Sequence, residues 1–556
     1  MSRMTRLARN KNLTVASLLD ELLPLRGNRV VSYHEGLAAL DGSPQKIQRF
    51  DDLHREIDIM AGFLLEEAGV RRGERVAIYK TNDPRCFRWF MAIIRAGGVA
   101  VPLNPLLTLP EVHAIIGHCG VRTLITDSKT FTNTIRSRGN LPVTVWIQSD
   151  AEPPIDANFL RISHKHFENH SFRPVSIDHD ETVAIFHTSG TSGVPKGAML
   201  SSRSLLGGAS TAALIAPFIR KKELALFTLP WAHIMAVSTA LYGLIAGIPA
   251  LFLERFETER VIDAIEKYRI TSFIGVPAMF IKLVNASPPP EKLASVRMWI
   301  SASDHLPIPY RRRLLRYGAL YRLFDRRVVP PLFINIYGMV ELGGSAMIGM
   351  KIPLVSGSED LCFPVPPFKI RSADGTGAPM GRGQVGECQV KGPGVTRGYW
   401  NNADGTGKLM TDDGWLRTGD LAARNRFGLI RILGRSKDMI KCGGYSVFAA
   451  DVEEVLASHP SIARASVIGV PHGQKGEVPV GFVETRDGIS LNSDDILVWC
   501  RHRLAPYKVP RSIHIIASGE IPQGVTEKVL KQELLKRYHR DLHPEEDNPA
   551  QAEMPA

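Results

Sequence analysis

Residues 186–200 read FHTSGTSGVPKGAML. The apolar run VAIF, 183–186, leads into this stretch and has the length and composition of a buried strand. After it come Gly190, Gly193 and Gly197, whose missing side chains let backbone N–H groups approach an anion. Hydroxyls on Thr188, Ser189, Thr191 and Ser192 add hydrogen-bond donors, and Lys196 adds a positive charge. A strand running into such a loop is suited to holding phosphate. It is not a Walker A loop, which needs glycine directly before the lysine and Ser or Thr after it. Here Pro195 precedes Lys196 and Gly197 follows.

Outward from this loop, strand-length apolar runs alternate with helix-length segments. RVAIY (75–79), VAVPL (99–103) and TLITD (123–127) are interleaved with stretches such as RCFRWFMAIIRAGG (85–98). That alternation predicts an α/β fold with mostly parallel sheets. From 224 to 253 the chain carries no formal charge over 30 residues, a length that would span a bilayer. Pro230, His233, Gly243, Gly247 and Pro249 cut it into strand, helix and strand lengths, so it reads as buried core. DGTGAPMGRGQVGECQVKGPGVTRGYW (374–400) reads as short strands and turns, a small β-rich subdomain. After GRSKDMIKCGG (434–444) a further helix–strand alternation predicts a smaller α+β domain. The expected organisation is 1–436, then 437–541, then a disordered tail over 542–556 that lacks apolar periodicity.

The bulk numbers fit that division. The chain has 556 residues, 44% of them apolar, enough for more than one packed domain. Six scattered cysteines without a CxxC pair predict reduced thiols and a cytoplasmic setting. The basic start MSRMTRLARNKNL is followed by no apolar h-region, so no secretory leader is expected. A net charge of +12 suits nucleic acid, an anionic membrane surface or a polyphosphate substrate. The charges are spread along the chain without a zinc-finger or RNP signature, which argues against nucleic acid. The stretch YRRRLLRYGALYRLFDRR (310–327) reads as a basic helix packed by its apolar face. Peripheral contact with anionic lipid, or docking of CoA phosphates, is its alternative use.

TSGTSGVPKG (188–197) closely resembles the signature loop of the adenylate-forming superfamily, which includes acyl-CoA synthetases, luciferases and peptide-synthetase adenylation domains. Further matches follow in family order: LPWAH (229–233), GVPAMF (275–280), YGMVE (337–341), WLRTGD (415–420), GRSKDMIKCGG (434–444) and PQGVTEKVLK (522–531). In appearance the chain is nearest to fatty acyl-CoA synthetases. The resemblance implies two half-reactions. A carboxylate attacks the α-phosphate of ATP, with Mg²⁺, to give an acyl-adenylate and pyrophosphate; the thiol of CoA then displaces AMP.

It also implies roles. The 188–197 loop would grip the β- and γ-phosphates. Tyr337 would stack on adenine, and Gly338 would let backbone come close. Glu341 would be the metal ligand, a hard oxygen suited to Mg²⁺. Asp420 and Arg435 would hold the ribose. His233 would line the acyl and pyrophosphate region, with Trp231 beside it as wall or gate of an apolar tunnel. Lys437 matches the hinge about which a mobile C-terminal domain turns. One face of that domain would deliver Lys528 for adenylation, and another would deliver Gly443 and Gly444 to line the pantetheine path. Four positions depart from the family pattern. Val340 stands where the family has threonine, Glu527 precedes Lys528 in place of glycine, SASDHLP (301–307) replaces a glycine-rich adenine loop, and Ala449 replaces proline. The expected function is therefore ATP-dependent activation of an apolar, fatty-type carboxylic acid and its transfer to CoA. Transfer to a carrier-protein pantetheine, and a weakened adenylate- or lipid-binding homologue, remain the alternatives.

Overall fold

The strand that leads into the phosphate loop, Thr182–Thr188, lies in a seven-stranded sheet. Its spatial order is 159–162, 144–148, 123–127, 75–78, 99–102, 182–188, 196–201. All pairs are parallel except the last, in which Thr188 lies directly opposite Lys196. The structure, a computed structural model, describes residues 10, 12–38, 43–135, 143–148, 159–162, 172–188, 196–208, 223–324, 326–350, 361–486, 489, 491–524 and 528–542. Residues 189–195 of the loop, Glu527 and the tail from 543 lie outside these.

A second sheet has thirteen strands. Its middle is parallel: Leu332–Met339, Met298–Ala302, Ser272–Gly275, Ala225–Phe227 and Ala250–Phe252 lie side by side. The uncharged segment 224–253 supplies two of these strands and the helix Ile234–Ala246 between them, as its punctuation predicts. Gly247, in the left-handed region at φ 75°, ends that helix. No helix among the described residues is long and apolar enough to cross a membrane. The glycine-rich region forms antiparallel strands over 369–373, 385–391, 416–424 and 430–435. They continue the large sheet through Leu361–Pro364, so the β-rich piece is one end of that sheet.

Between the sheets, Arg85–Arg95 is buried on every side, with Trp89 and Phe63 edge to face. Two of its three arginines, Arg88 and Arg95, have almost no solvent exposure and are held by paired carboxylates, while Arg85 at its start is part exposed and pairs with Asp83. Arg88 meets Glu56 at 2.8 Å, and Arg95 meets Asp58 at 2.5 Å and Asp20 at 3.0 Å. The chain leaves the large sheet at Arg435 and enters a third, five-stranded sheet at Met439. That sheet has its own apolar cluster around Val447, Leu456, Val467 and Ile496. None of the six cysteines is in a disulfide, and all six are buried.

The basic stretch departs from its predicted form. Only Ile308–Leu314 is helical; Tyr321–Leu323 and Arg326–Val329 form a two-stranded antiparallel hairpin. The helix ends at Leu314 with Leu315 as its cap, and Gly318 then turns the chain toward the hairpin: its φ is 81°, and a Cβ there would overlap the Val296 carbonyl. Arg311 and Arg313 are not part of a solvated basic face. The first is buried against Phe333, and the second donates to Asn285 Oδ1 and the Val284 carbonyl.

Candidate active site

The ends of three strands and one loop of the third sheet's domain meet at Asp420. In the register of the large sheet Asp420 stands opposite Arg435, and Arg435 Nε lies 3.0 Å from Asp420 Oδ1. Tyr337 Oη donates to Asp420 Oδ2 at 2.5 Å. Asp420 N–H donates to Thr418 Oγ1, and Arg435 Nη1 to the Thr418 carbonyl. Burial raises the Asp420 carboxyl above the usual carboxylate range. Arg435, the Tyr337 hydroxyl and Lys528 pull it down, while Asp304 pushes it up. Burial likewise pushes the Tyr337 phenol well up, so it stays a donor.

Lys528 arrives from the other domain. Gly524 N–H donates to the Lys528 carbonyl, and Lys528 Nζ lies 3.9 Å from Asp304 Oδ2. Both side chains are about half exposed, so the pair has little energetic weight by itself and mainly fixes where the lysine sits. Asp304 belongs to the 301–307 segment flagged as a departure, and Ser303 before it holds φ 78°. Further contacts hold the domains in this arrangement. Glu454 accepts from Ile308 N–H with both oxygens, at 2.8 and 3.0 Å, and lies 3.3 Å from His305 Nε2. Arg486 Nη1 donates to Asn285 Oδ1 at 2.9 Å, and Tyr310 Oη donates to the Ala463 carbonyl.

A second group forms around Glu341, in the short turn Val340–Leu342 after the Tyr337 strand. Glu341 is buried, and Oε1 accepts from Tyr399 Oη at 2.7 Å. Lys196 Nζ sits 5.3 Å from the Tyr399 ring centroid, so Tyr399 links the lysine of the phosphate loop to the candidate metal ligand. Sequence reasoning passed over Tyr399, because a tyrosine in a glycine-rich turn carries no local sign of a partner 58 residues away. Asp304 and Glu454 were missed as contacts for the same reason.

Other predicted residues sit apart. His233 caps the helix Ile234–Ala246, with Nδ1 accepting from Met235 N–H at 3.3 Å. Burial lowers its pKa to about 4, so the ring is neutral at physiological pH. Trp231 is packed between Phe252 and Phe87 and borders a cavity of about 10 Å³, room for one water, whose mostly apolar lining also includes Lys80 and Asn82. Lys437 is exposed in the turn Ser436–Asp438, between the large sheet and the third. Gly443 and Gly444 form the exposed turn between Met439–Cys442 and Tyr445–Phe448, at φ 56° and 84°. The approach Gly338 permits is to its own sheet, since a Cβ there would overlap the Gly344 carbonyl. Val340 is 9% exposed within the main apolar cluster. Of the loop's residues, Thr188 and Lys196 are placed; Ser189, Gly190, Thr191, Ser192 and Gly193 lie outside the described residues.

Residues 29–400 match the AMP-binding enzyme family, and residues 451–528 match the AMP-binding enzyme C-terminal domain. A feruloyl-CoA synthase of Amycolatopsis sp is 30% identical over 88% of this chain and 94% of its own length. A long-chain-fatty-acid–CoA ligase of Bacillus subtilis (strain 168) is 27% identical over 89% of this chain and 90% of its own. Among solved structures, ATP-bound MatB from Rhodopseudomonas palustris has the same fold. Its TM-score is 0.78 at 24% identity, covering 96% of this chain and all of that one. With one family matching two thirds of its length and the companion domain matching beyond, the chain belongs to the AMP-binding enzyme family, the adenylate-forming superfamily that its motifs resemble.

Proposed function

We propose that this AMP-forming acid–CoA ligase activates an apolar carboxylic acid, with ATP bound around Tyr337, Asp420 and Arg435. The observation that carries the reading is the approach of Lys528, from one domain, to a carboxylate–tyrosine–arginine cluster in the other. In the first half-reaction a substrate carboxylate oxygen attacks the α-phosphorus, and the bond to the pyrophosphate oxygen breaks. Asp420, ionised beside Arg435, accepts from the ribose hydroxyls. Lys528 stabilises the negative charge that builds on the α-phosphate and the attacking carboxylate. Lys196 and the loop after Thr188 hold the departing phosphates. Glu341 offers one hard oxygen, while Tyr399 holds the other. That suits Mg²⁺, which keeps several waters and takes few protein ligands. The cation would shield the phosphates. His233, neutral, borders the acyl side without adding charge.

In the second half-reaction a CoA thiol, losing its proton, attacks the acyl carbon and AMP leaves. Lys528 has no part in that step; the glycine turn at 443–444, with open space around it, would line the pantetheine path after the domain turns about Lys437. The apolar walls around Trp231 favour an apolar acid. The named relatives include both a feruloyl-CoA synthase and a long-chain-fatty-acid–CoA ligase, which supports an aryl or a fatty acid as the class to test first. ATP–pyrophosphate exchange across aryl and straight-chain acids, followed by product analysis with CoA, tests this. Exchange supported best by a small polar acid, or none with any acid despite ATP binding, would overturn it.

A further inference from the structure

The hairpin Tyr321–Val329 carries several exposed apolar side chains. Phe324 is 92% exposed, Val328 56%, Leu323 49% and Tyr321 45%. Scattered single apolar residues are normal on a surface, but several gathered on one short hairpin, from Tyr321 at its root to Phe324 at its turn, mark a contact. The finger is held rigidly at its root. Leu320 N–H donates to the Val329 carbonyl, and Ala319 N–H to the Val296 carbonyl. The register places Tyr321 opposite Val329 and Leu323 opposite Arg326, with Arg322 opposite Arg327 on the other face. That second face is turned to the body. Arg327 donates to the Leu315 and Arg316 carbonyls, and Arg322 to the Ala294 carbonyl. Polar groups thus anchor the hairpin, and its apolar groups are left outside.

Phe324 carries a second sign. Its φ is 47°, in the left-handed region that glycine and asparagine enter easily and a bulky aromatic does not. Strained backbone bearing an exposed aromatic fits a side chain kept for what it touches.

We propose that this hairpin docks the protein on the surface of an anionic lipid bilayer, its tip entering the headgroup–acyl boundary. Charge selects this occupant. Arg312, Arg316, Arg322, Arg326 and Arg327 are exposed on or beside the hairpin, against a single acidic residue, Asp325, between positions 310 and 332. Apolar side chains flanked by arginines suit an acidic interface. A two-fold contact with a second copy would set these arginines against each other. The finger projects and presents no groove, which disfavours a peptide partner. The site stays free, because Tyr337 lies five residues, roughly 17 Å, along the strand from Leu332. The inference does not depend on which acid is the substrate.

The test is flotation of the full chain with phosphatidylcholine vesicles, with and without phosphatidylglycerol. Binding is expected with phosphatidylglycerol and weaker at high salt. Phe324→Gly, which relieves the φ strain, should leave thermal stability unchanged or higher and adenylation of a water-soluble acid unchanged. It should nevertheless lower vesicle partitioning roughly tenfold, the loss expected for an inserted aromatic. Phe324→Trp should give blue-shifted emission quenched by brominated lipid. Binding indifferent to Phe324→Gly, an unquenched tryptophan, or no binding at low salt would overturn the proposal. So would a dimer in light scattering that Phe324→Gly abolishes, which would make a second copy the occupant.

Discussion

Val340 and Tyr337 are three residues apart and answer to different surroundings. Val340 lies in the apolar cluster at 9% exposure, so the missing threonine hydroxyl is not simply a lost phosphate contact. Val340→Thr would bury a hydroxyl among apolar groups, a change that costs about 1–3 kcal/mol in proteins. The expected outcome is a lower melting temperature with no gain in the rate of pyrophosphate exchange. A faster enzyme of equal stability would place position 340 against the phosphates after all. At Tyr337 the hydroxyl donates to a buried carboxylate, so Tyr337→Phe should raise the pKa of Asp420 further. If ionised Asp420 is what binds ribose, the acid limb of the exchange rate against pH moves to higher pH. An unmoved limb would dissociate Asp420 ionisation from turnover.

The elements that matter most are the helix Ile308–Leu314 and the helix Ala449–Ala457, which meet through Glu454. Glu454 holds the domain arrangement in which Lys528 faces the site, and in the proposed mechanism that arrangement is left for the thiol step. Glu454→Gln keeps a hydrogen bond to Ile308 N–H but loses the charge beside His305. It should slow adenylation about two- to tenfold, the effect of about 0.5–1.5 kcal/mol on a half-exposed contact, with thiolysis of supplied acyl-adenylate spared. Lys528→Ala should abolish adenylation and also spare thiolysis. Gly444→Trp should do the reverse, because an indole in the turn obstructs pantetheine. Measured half-reactions lost equally in all three variants would exclude a division of labour between the two faces. The φ of 84° at Gly444 adds backbone strain to any substitution, so a folded control by circular dichroism belongs with that variant.

For the molecule as a whole, acid sensitivity is written in its buried histidines. Burial lowers His34 to about 3, and His187 and His233 to about 4. In the unfolded chain each titrates near 6.5. Above that pH both states are neutral and the histidines do not change stability. Between about 6.5 and 4 the unfolded chain binds protons that the folded chain does not, so stability falls as pH falls. Each pKa unit is worth about 1.4 kcal/mol, so each ring that stays unprotonated down to about pH 4 accounts for a loss of up to roughly 3 kcal/mol. Urea midpoints measured across that window should decline steadily, and His187→Gln should flatten the decline. A flat wild-type profile would mean these rings are hydrated.

The sequence by itself determined the elements and the family. Buried strands reveal themselves locally, as unbroken apolar runs such as VAIF, and helix ends by residues such as Gly247 that enter the left-handed region. The ordered motifs likewise singled out Lys196, Tyr337, Glu341, Asp420 and Lys528 as candidates, through their resemblance in order and register to the family's motifs. Tertiary structure alone decided the pairings: Tyr399 on Glu341, Asp304 beside Lys528, Glu454 across the domain boundary. Each joins residues tens to hundreds of positions apart, and no local periodicity encodes such a distance. The basic stretch shows the same limit at element scale. Arginines interspersed with Leu and Tyr satisfy a helical pattern, but after the helix ends at Leu314 the chain turns at Gly318, packed close to the Val296 carbonyl in a contact made only on folding, and runs on as a hairpin.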